Sequence, residues 1–467
     1  MSGQAISSDG AETSRLIRDL IGQRGYDICR PHYLTYPEAH AFSDSFTAED
    51  FQTALVRSNT AKRPLSLHVQ TPFCRTSGIA GTGPQVQLTD TRMLDAYVSR
   101  LDREMVLSAR HLDHHQGVRR LHWGGAGATS FSLDQMSDLI NRLDVRFGLT
   151  ESRERDYAIE VNPREANVLT LRHLQALGFN RLILDIQDLD PAAQHTINRI
   201  LPRAKVELLV DEAHRLHLDA LTMELRIGLP FQTPDNLAGT LEQVIAMAPA
   251  RVRVIPPPPR PQFILKALRH RGPGLSATDT VQTLMITSLE RLVEAGYVHI
   301  GQGYFARPED SLTLARDQGR LTMDLQGYAI VGSGVQLGLG VAAISRVDDV
   351  YARNALFPSG YERALDAGRL ATACGRRLSF DERLRRDAIE GLVCDGTLDL
   401  KRLGDTFSVD GEAYLAASAS WLEALERDGL VARQGQQLVV TAAGRMLLGD
   451  IIRAFSADPR RTRGSGY

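Results

Sequence analysis

From residue 65 onward, short apolar runs alternate with longer stretches whose apolar residues recur every three or four positions. The short runs predict strands at Leu65–Thr71, Val118–Trp123, Tyr157–Val161, Arg181–Ile186, Ala220–Ile227 and Arg251–Ile255. The longer ones predict helices. Over 167–177, Val168, Leu171, Leu174 and Leu177 share one face, and Gly178 supplies a stop. Over 235–247, Leu237, Leu241, Val244 and Ile245 do the same behind Thr233 as N-cap and Pro234 at the first helical position. Strand–helix alternation repeated six times predicts an α/β chain with a parallel sheet, closed into a full or partial barrel. Past residue 260 the rhythm changes to a helix at 279–295 and a glycine-rich stretch, Gly327 to Gly340. Residues 378–455 read as helices around a hairpin, Leu430–Val440, turning at Gln434-Gly435. That order is winged-helix-like; a small helical lid is the other reading.

Composition narrows the function classes. Apolar residues make 43% and charged residues 24% of 467, which is globular rather than disordered. The formal charge of −2 offers no excess for nucleic acid or anionic lipid, and residues 370–467 hold 14 basic against 14 acidic side chains. No window carries 18 apolar residues, so no membrane span is expected. Met1 to Thr13 lacks the apolar core of a signal peptide and reads as a disordered end. Four scattered cysteines, Cys29, Cys74, Cys374 and Cys394, form no C-x-x-C pair and fit a reducing cytoplasm.

A parallel barrel places its chemistry at the C-terminal ends of its strands. Those positions hold Thr71-Pro72-Phe73-Cys74, then Gly124 and Gly125, Glu160 and Asn162, Gln187-Asp188, Glu224 and Arg226, and finally Pro256–Pro259. Gly124 to Ser130 suits close backbone approach to a ligand, or a tight turn and nothing more. Glu160 suits a ligand amine or ribose, or an ion pair with Arg164 or Arg199. His111-Leu112-Asp113-His114-His115 looks metal-like but reads as a solvated loop, and Cys74 alone reads as an apolar filler.

At these positions the sequence resembles the oxygen-independent coproporphyrinogen III oxidases, radical-SAM enzymes of haem biosynthesis. The resemblance runs from about Tyr33 to Phe455. It is carried by P-L-S-L-H-V-Q-T-P-F-C (64–74), H-W-G-G (122–125), I-E-V-N-P-R-E (159–165), G-F-N-R-L (178–182), G-L-P-F-Q-T-P (228–234) and F-A-R-P (305–308). It implies a partial (β/α) barrel of the radical-SAM type, with an N-terminal segment over its mouth and a C-terminal mainly helical domain. With the periodicity, this divides the chain into a disordered 1–13, a covering segment 14–63, the barrel and its extension 64–345, a helical domain 346–455 and a flexible tail 456–467. The resemblance also implies a [4Fe–4S] cluster on three cysteines. That cluster cleaves S-adenosylmethionine, and the radical so formed starts decarboxylation of a propionate to a vinyl group.

Of the family's C-x-x-x-C-x-x-C only Cys74 is present; the next two positions are Gly78 and Gly81, and a usual fourth is Gly83. The resemblance assigns ligand contacts to Gly125, Glu160, Gln187 and Arg199, and matching positions to Gly124, His68 (for Tyr), Gln70 (for His), Glu224 (for Asp) and Arg226 (for an apolar residue). Three readings follow. One is a non-catalytic paralogue binding a tetrapyrrole, a nucleoside-like ligand or a partner. In its haem-binding form Cys74, His68 or Tyr304 serves as axial ligand and Arg226 meets propionates. The second is an active oxidase with unconventional cluster ligands, recruiting Cys29. The third is an interaction module working through the C-terminal domain.

Overall fold

The computed structural model describes residues 3–30, 35–75, 86–113, 117–125, 127–152, 154–218, 220–257, 278–330, 332 and 334–456. Its principal element is a 12-stranded sheet. The six strands expected from periodicity are β1 (Leu65–Thr71), β2 (Val118–Gly125), β3 (Asp156–Val161), β4 (Arg181–Gln187), β5 (Thr222–Arg226) and β6 (Arg251–Ile255). They lie side by side in chain order and all run parallel. The sheet continues past both ends. Beyond β6 come β7 (Val298–Gly301) and β8 (Tyr304–Ala306); beyond β1 come β9 (Val335–Leu339), β10 (Ile344–Val347), β11 (Val350–Asn354) and β12 (Thr372–Arg377). The strand order is β12-β11-β10-β9-β1-β2-β3-β4-β5-β6-β8-β7, with β9 parallel to β1 and the other additions antiparallel.

Alternation along each strand explains how one sheet meets two environments. Leu67 and Val69, Leu121 and Trp123, Ile159 and Val161, Leu182 and Leu184, Met223 and Leu225, and Val252 and Val254 all join one apolar core with the crossover helices. Their neighbours, from His68 and His122 to Glu224 and Arg253, occupy the opposite phase and line the concave side. Helices 168–176 and 234–246 open on side-chain caps: Asn167 accepts from Thr170 N, and Thr233 from Asn236 N. Gly178 follows the first of these with φ +92°.

Three expectations need correction. Residues 1–13, expected to be disordered, belong from Gly3 to a helix, Gly3–Arg24. Ile17 and Leu20 bury its later turns, and extending an existing helix costs far less than starting one. A boundary at 345/346 would cut β10; the sheet runs on to Arg377, and the helical unit begins at Phe380–Cys394, opened by Ser379. That unit contains a three-stranded sheet in which Val431–Gln434 and Gln437–Val440 pair as a hairpin. Gln434 faces Gln437, so the turn is Gly435-Gln436 rather than Gln434-Gly435, with Gly435 at φ +61°.

The segment expected over the mouth divides its contacts. Tyr26 donates to Asp428 (2.8 Å), and Asp27 N and Arg30 bind Asp450 at 2.9 and 2.5 Å, tying residues 26–30 to the C-terminal unit. Helix Ala48–Ser58 packs along β10 to β12, and Asn59 holds the chain at His111 and Asp113, before β2 begins. The expected tail lies outside the described residues from 457 onward. Among the described residues, no helix is long and apolar enough to cross a membrane.

Candidate functional site in the barrel mouth

The concave side is polar at every level. Deepest, Arg120 lies between Asp324 (2.8 Å) and Asp156 (3.3 Å), Arg181 makes two contacts to Asp156 (2.9 and 3.1 Å), and Arg251 grips Asp310 at 3.0 Å. Above them, Arg253 binds Glu224 at 2.8 Å and lies 4.7 Å from the centroid of the Tyr304 ring. At the strand ends His122 meets Glu160 (3.1 Å), and Arg199 meets Asp185 (3.1 Å). Buried charges are found paired because an uncompensated one costs several kcal/mol, roughly 3–5 when a partner is removed. A barrel lined this way therefore needs its carboxylates and arginines in near balance.

Protonation follows from burial and these neighbours. Burial, then Arg181 and Arg120, hold His122 down to about 3, so it is neutral and its Nε2–H donates to Glu160. Burial, with His122 and Arg120 beside it, likewise keeps His68 neutral; its Nδ1 accepts from the Gln326 amide at 2.8 Å. Burial raises Glu160, partly offset by the Gly125 N–H donating to it at 2.9 Å. Glu224 is also raised by burial, with Arg253 pulling the other way.

The structure thus gathers His68, Gly124, Gly125, Glu160, Gln187, Arg199 and Glu224 at or inside the mouth. Glu160 does not pair with Arg164 or Arg199, as expected if it were structural; its partners are His122 and Gly125. Gln187, at φ +67° and buried, donates to Asp185 at 3.3 Å. Gly124 and Gly125 end β2 rather than form a turn, pairing with Gln70 and Thr71. A Cβ on Gly125 (φ +101°) would lie 2.3 Å from Thr71 O, and one on Gly127 would lie 1.9 Å from Phe73 O. The close approach they permit is to the protein's own backbone. A Cβ on Gly124 would lie 2.7 Å from Glu160 Oε1, so that glycine leaves room for the His122–Glu160 pair.

Cys74 sits in a short parallel pair, Phe73–Cys74 with Val86–Gln87. It is buried, its Sγ lies 3.8 Å from Val86 O, and burial raises its thiol. Burial pushes Cys29 up to about 12. Positions 78, 81 and 83 lie outside the described residues, as do His114 and His115. Among the described residues no three histidine, cysteine or acidic side chains group to hold a metal. Sequence reasoning missed Asp185, Arg253 and the Gln232–Asp188–Thr240 chain, in which Gln232 and Thr240 donate to Asp188 at 2.7 and 2.6 Å. The in-phase position of Asp185, between Leu184 and Ile186, was the available signal.

The family described as "HemN C-terminal domain" matches residues 378–447. The oxygen-independent coproporphyrinogen III oxidase of Pseudomonas aeruginosa is 34% identical over 444 residues, covering 95% of this chain and 96% of that protein. The Escherichia coli protein of the same description is 32% identical over 448 residues, covering 95% and 96%. A solved structure described as coproporphyrinogen III oxidase (HemN) from Escherichia coli, a radical SAM enzyme, superposes with a TM-score of 0.86 at 32% identity, covering 91% of this chain and 97% of that one. A polar concave barrel of this topology, matched along nearly its whole length, places the chain in the oxygen-independent coproporphyrinogen III oxidase family, within the radical-SAM fold.

Proposed function

We propose that this chain is a non-catalytic member of its family, one that keeps the barrel and binds a tetrapyrrole, a related ligand or a partner at its mouth. The donor set carries the reading. Cys74 is the one sulfur at the three cluster positions, because Gly78 and Gly81 have no donor side chain. Clusters of this kind are held by cysteine thiolates, and one thiolate is too few for about four irons. Cys74 is a buried thiol raised above its ordinary range, and Cys29, the other recruit, is pushed up to about 12. The residues present do not fit the cluster.

Self-pairing supports the same reading: Glu160, Gln187, Arg199 and Glu224 each have a protein partner. For haem iron, Tyr304 is engaged with Arg253 and Gln326 and Cys74 with Val86, while the Gln326 amide that donates to His68 Nδ1 leaves that ring's proton on Nε2, so none of the three presents a ready axial ligand atom. The test is anaerobic iron–sulfide reconstitution beside Cys74→Ala, with coproporphyrinogen turnover measured against the Escherichia coli oxidase. Iron near zero and no turnover are expected. About four irons per chain, lost in the variant and accompanied by turnover, would overturn the proposal.

A further inference from the structure

Five of the arginines in the barrel, Arg120, Arg181, Arg199, Arg251 and Arg253, each have a carboxylate within 4.0 Å. Arg226 does not. It is the last residue of β5, and its Nε is buried with no hydrogen-bond partner among the described residues. The surrounding acids are already engaged: Glu160 by His122 and Gly125 N, Glu224 by Arg253, and Asp185 by Arg199. The backbone of Arg226 is fixed, since Gln232 Nε2 donates to its carbonyl (2.9 Å) and to Asp188 (2.7 Å). Arg226 feels the Glu160 carboxylate without a hydrogen bond to it, and a partly desolvated guanidinium whose donors are left unpaired is an arrangement that an entering anion would relieve.

On the same face of the barrel, the loops after β4 and β5 expose two large apolar side chains, Ile200 (48%) and Phe231 (51%). Phe231 is held in the left-handed region at φ +63°, and Asn236 Nδ2 donates to its carbonyl at 3.1 Å. Left-handed backbone is costly for a bulky residue and persists where surrounding bonds enforce it. Apolar side chains on the loops thus accompany a cationic strand end.

We infer that Arg226 anchors an oxyanion at the strand-end level of the mouth, for a ligand joining a carboxylate or phosphate to an apolar body that rests on Ile200 and Phe231. The inference rests on the non-catalytic reading only in taking the mouth as a site for a ligand other than the family's cleaved cofactor. The guanidinium presents paired donors that match two oxygens of one anion.

The test titrates the full chain with coproporphyrin III, followed by fluorescence, with its tetramethyl ester as the uncharged control and inorganic phosphate as competitor. Arg226→Leu should weaken coproporphyrin at least tenfold, about 1.4 kcal/mol at 25 °C, and Arg226→Lys should weaken it less. The ester should bind the parent as poorly as the acid binds the leucine variant. Displacement by micromolar phosphate assigns the anion as phosphate; none below millimolar assigns it as carboxylate. Because no side-chain hydrogen bond or ion pair among the described residues is lost, Arg226→Leu should melt no lower than the parent. Equal coproporphyrin affinity in parent and Arg226→Leu, an ester that binds like the acid, a lowered melting point, or failure of both coproporphyrin and phosphate to bind would each overturn the inference. Iron reconstitution reads separately: a cluster found beside Arg226-dependent binding sinks the non-catalytic reading and leaves the anchor standing.

Discussion

Glu104 offers a direct test of how burial sets charge in this protein. It lies on helix Arg92–Ala109, is 2% exposed, and accepts from Tyr361 OH (2.6 Å), Gly340 N (2.7 Å) and Asn354 Nδ2 (2.5 Å). Burial outweighs these three donors and pushes its carboxyl up to about 7, from an ordinary 4.5. Between those values the folded chain keeps a proton that the unfolded chain has released, so stability falls as pH rises. The gap of about 2.5 units corresponds to about 3 kcal/mol, fully present below pH 4.5 and lost by about pH 7. Glu104→Gln has no proton to release. Urea unfolding of both proteins from pH 4.5 to 8 should therefore show the stability difference moving by about 3 kcal/mol in favour of glutamine. Parallel pH dependences would mean Glu104 stays ionised throughout, and that the three donors outweigh burial.

Other outcomes follow from single contacts. Gly125→Ala should destabilise by about 3 kcal/mol, combining a positive φ with a Cβ 2.3 Å from Thr71 O; thermal melting checks it. Asp310→Ala strips the buried Arg251 of its carboxylate and removes the cap that accepts from Leu312 N, which should cost about 3–5 kcal/mol in denaturant unfolding. Cys74, at 7% exposure and with its thiol raised, should alkylate with iodoacetamide at pH 7.5 at least about tenfold slower than in urea; mass spectrometry of the labelled peptide reads the rate.

The six central strands were legible because each alternates against a single apolar core, and the helix caps because Thr233-Pro234 and Gly178 act locally. β9 was not legible. It sits inside Gly327–Gly340, where glycine argues against a strand, yet a Cβ on Gly338 would lie 2.4 Å from Ile344 O. Glycine stands there because backbones meet, a reason visible only in three dimensions. β2 was read two residues short for a related cause: Gly124 and Gly125 look like a turn but still pair with Gln70 and Thr71. At the site, Glu160 could be picked out as a carboxylate among apolar neighbours, while its partner could not. His122 faces Ala158 in register and reaches Glu160 one inward position further on, a relation that depends on strand stagger rather than on sequence spacing.

A barrel that does not close leaves two bare margins, and bare margins recruit foreign strands. Here each margin is sealed by a part of the chain remote from the central strands. Along β12, Ser43 exchanges both main-chain hydrogen bonds with Gly375, at 2.8 and 3.0 Å. Along β7, arginine side chains take the place of a neighbouring strand: Arg316 donates to His299 O at 3.3 Å and Arg445, from the C-terminal unit, to Ile300 O at 3.1 Å. The two appended regions are thus hems of the sheet as well as neighbours of its mouth. Trimming either one to isolate the barrel would uncover hydrogen-bonding groups along that edge and turn a self-contained chain into a template for its own copies.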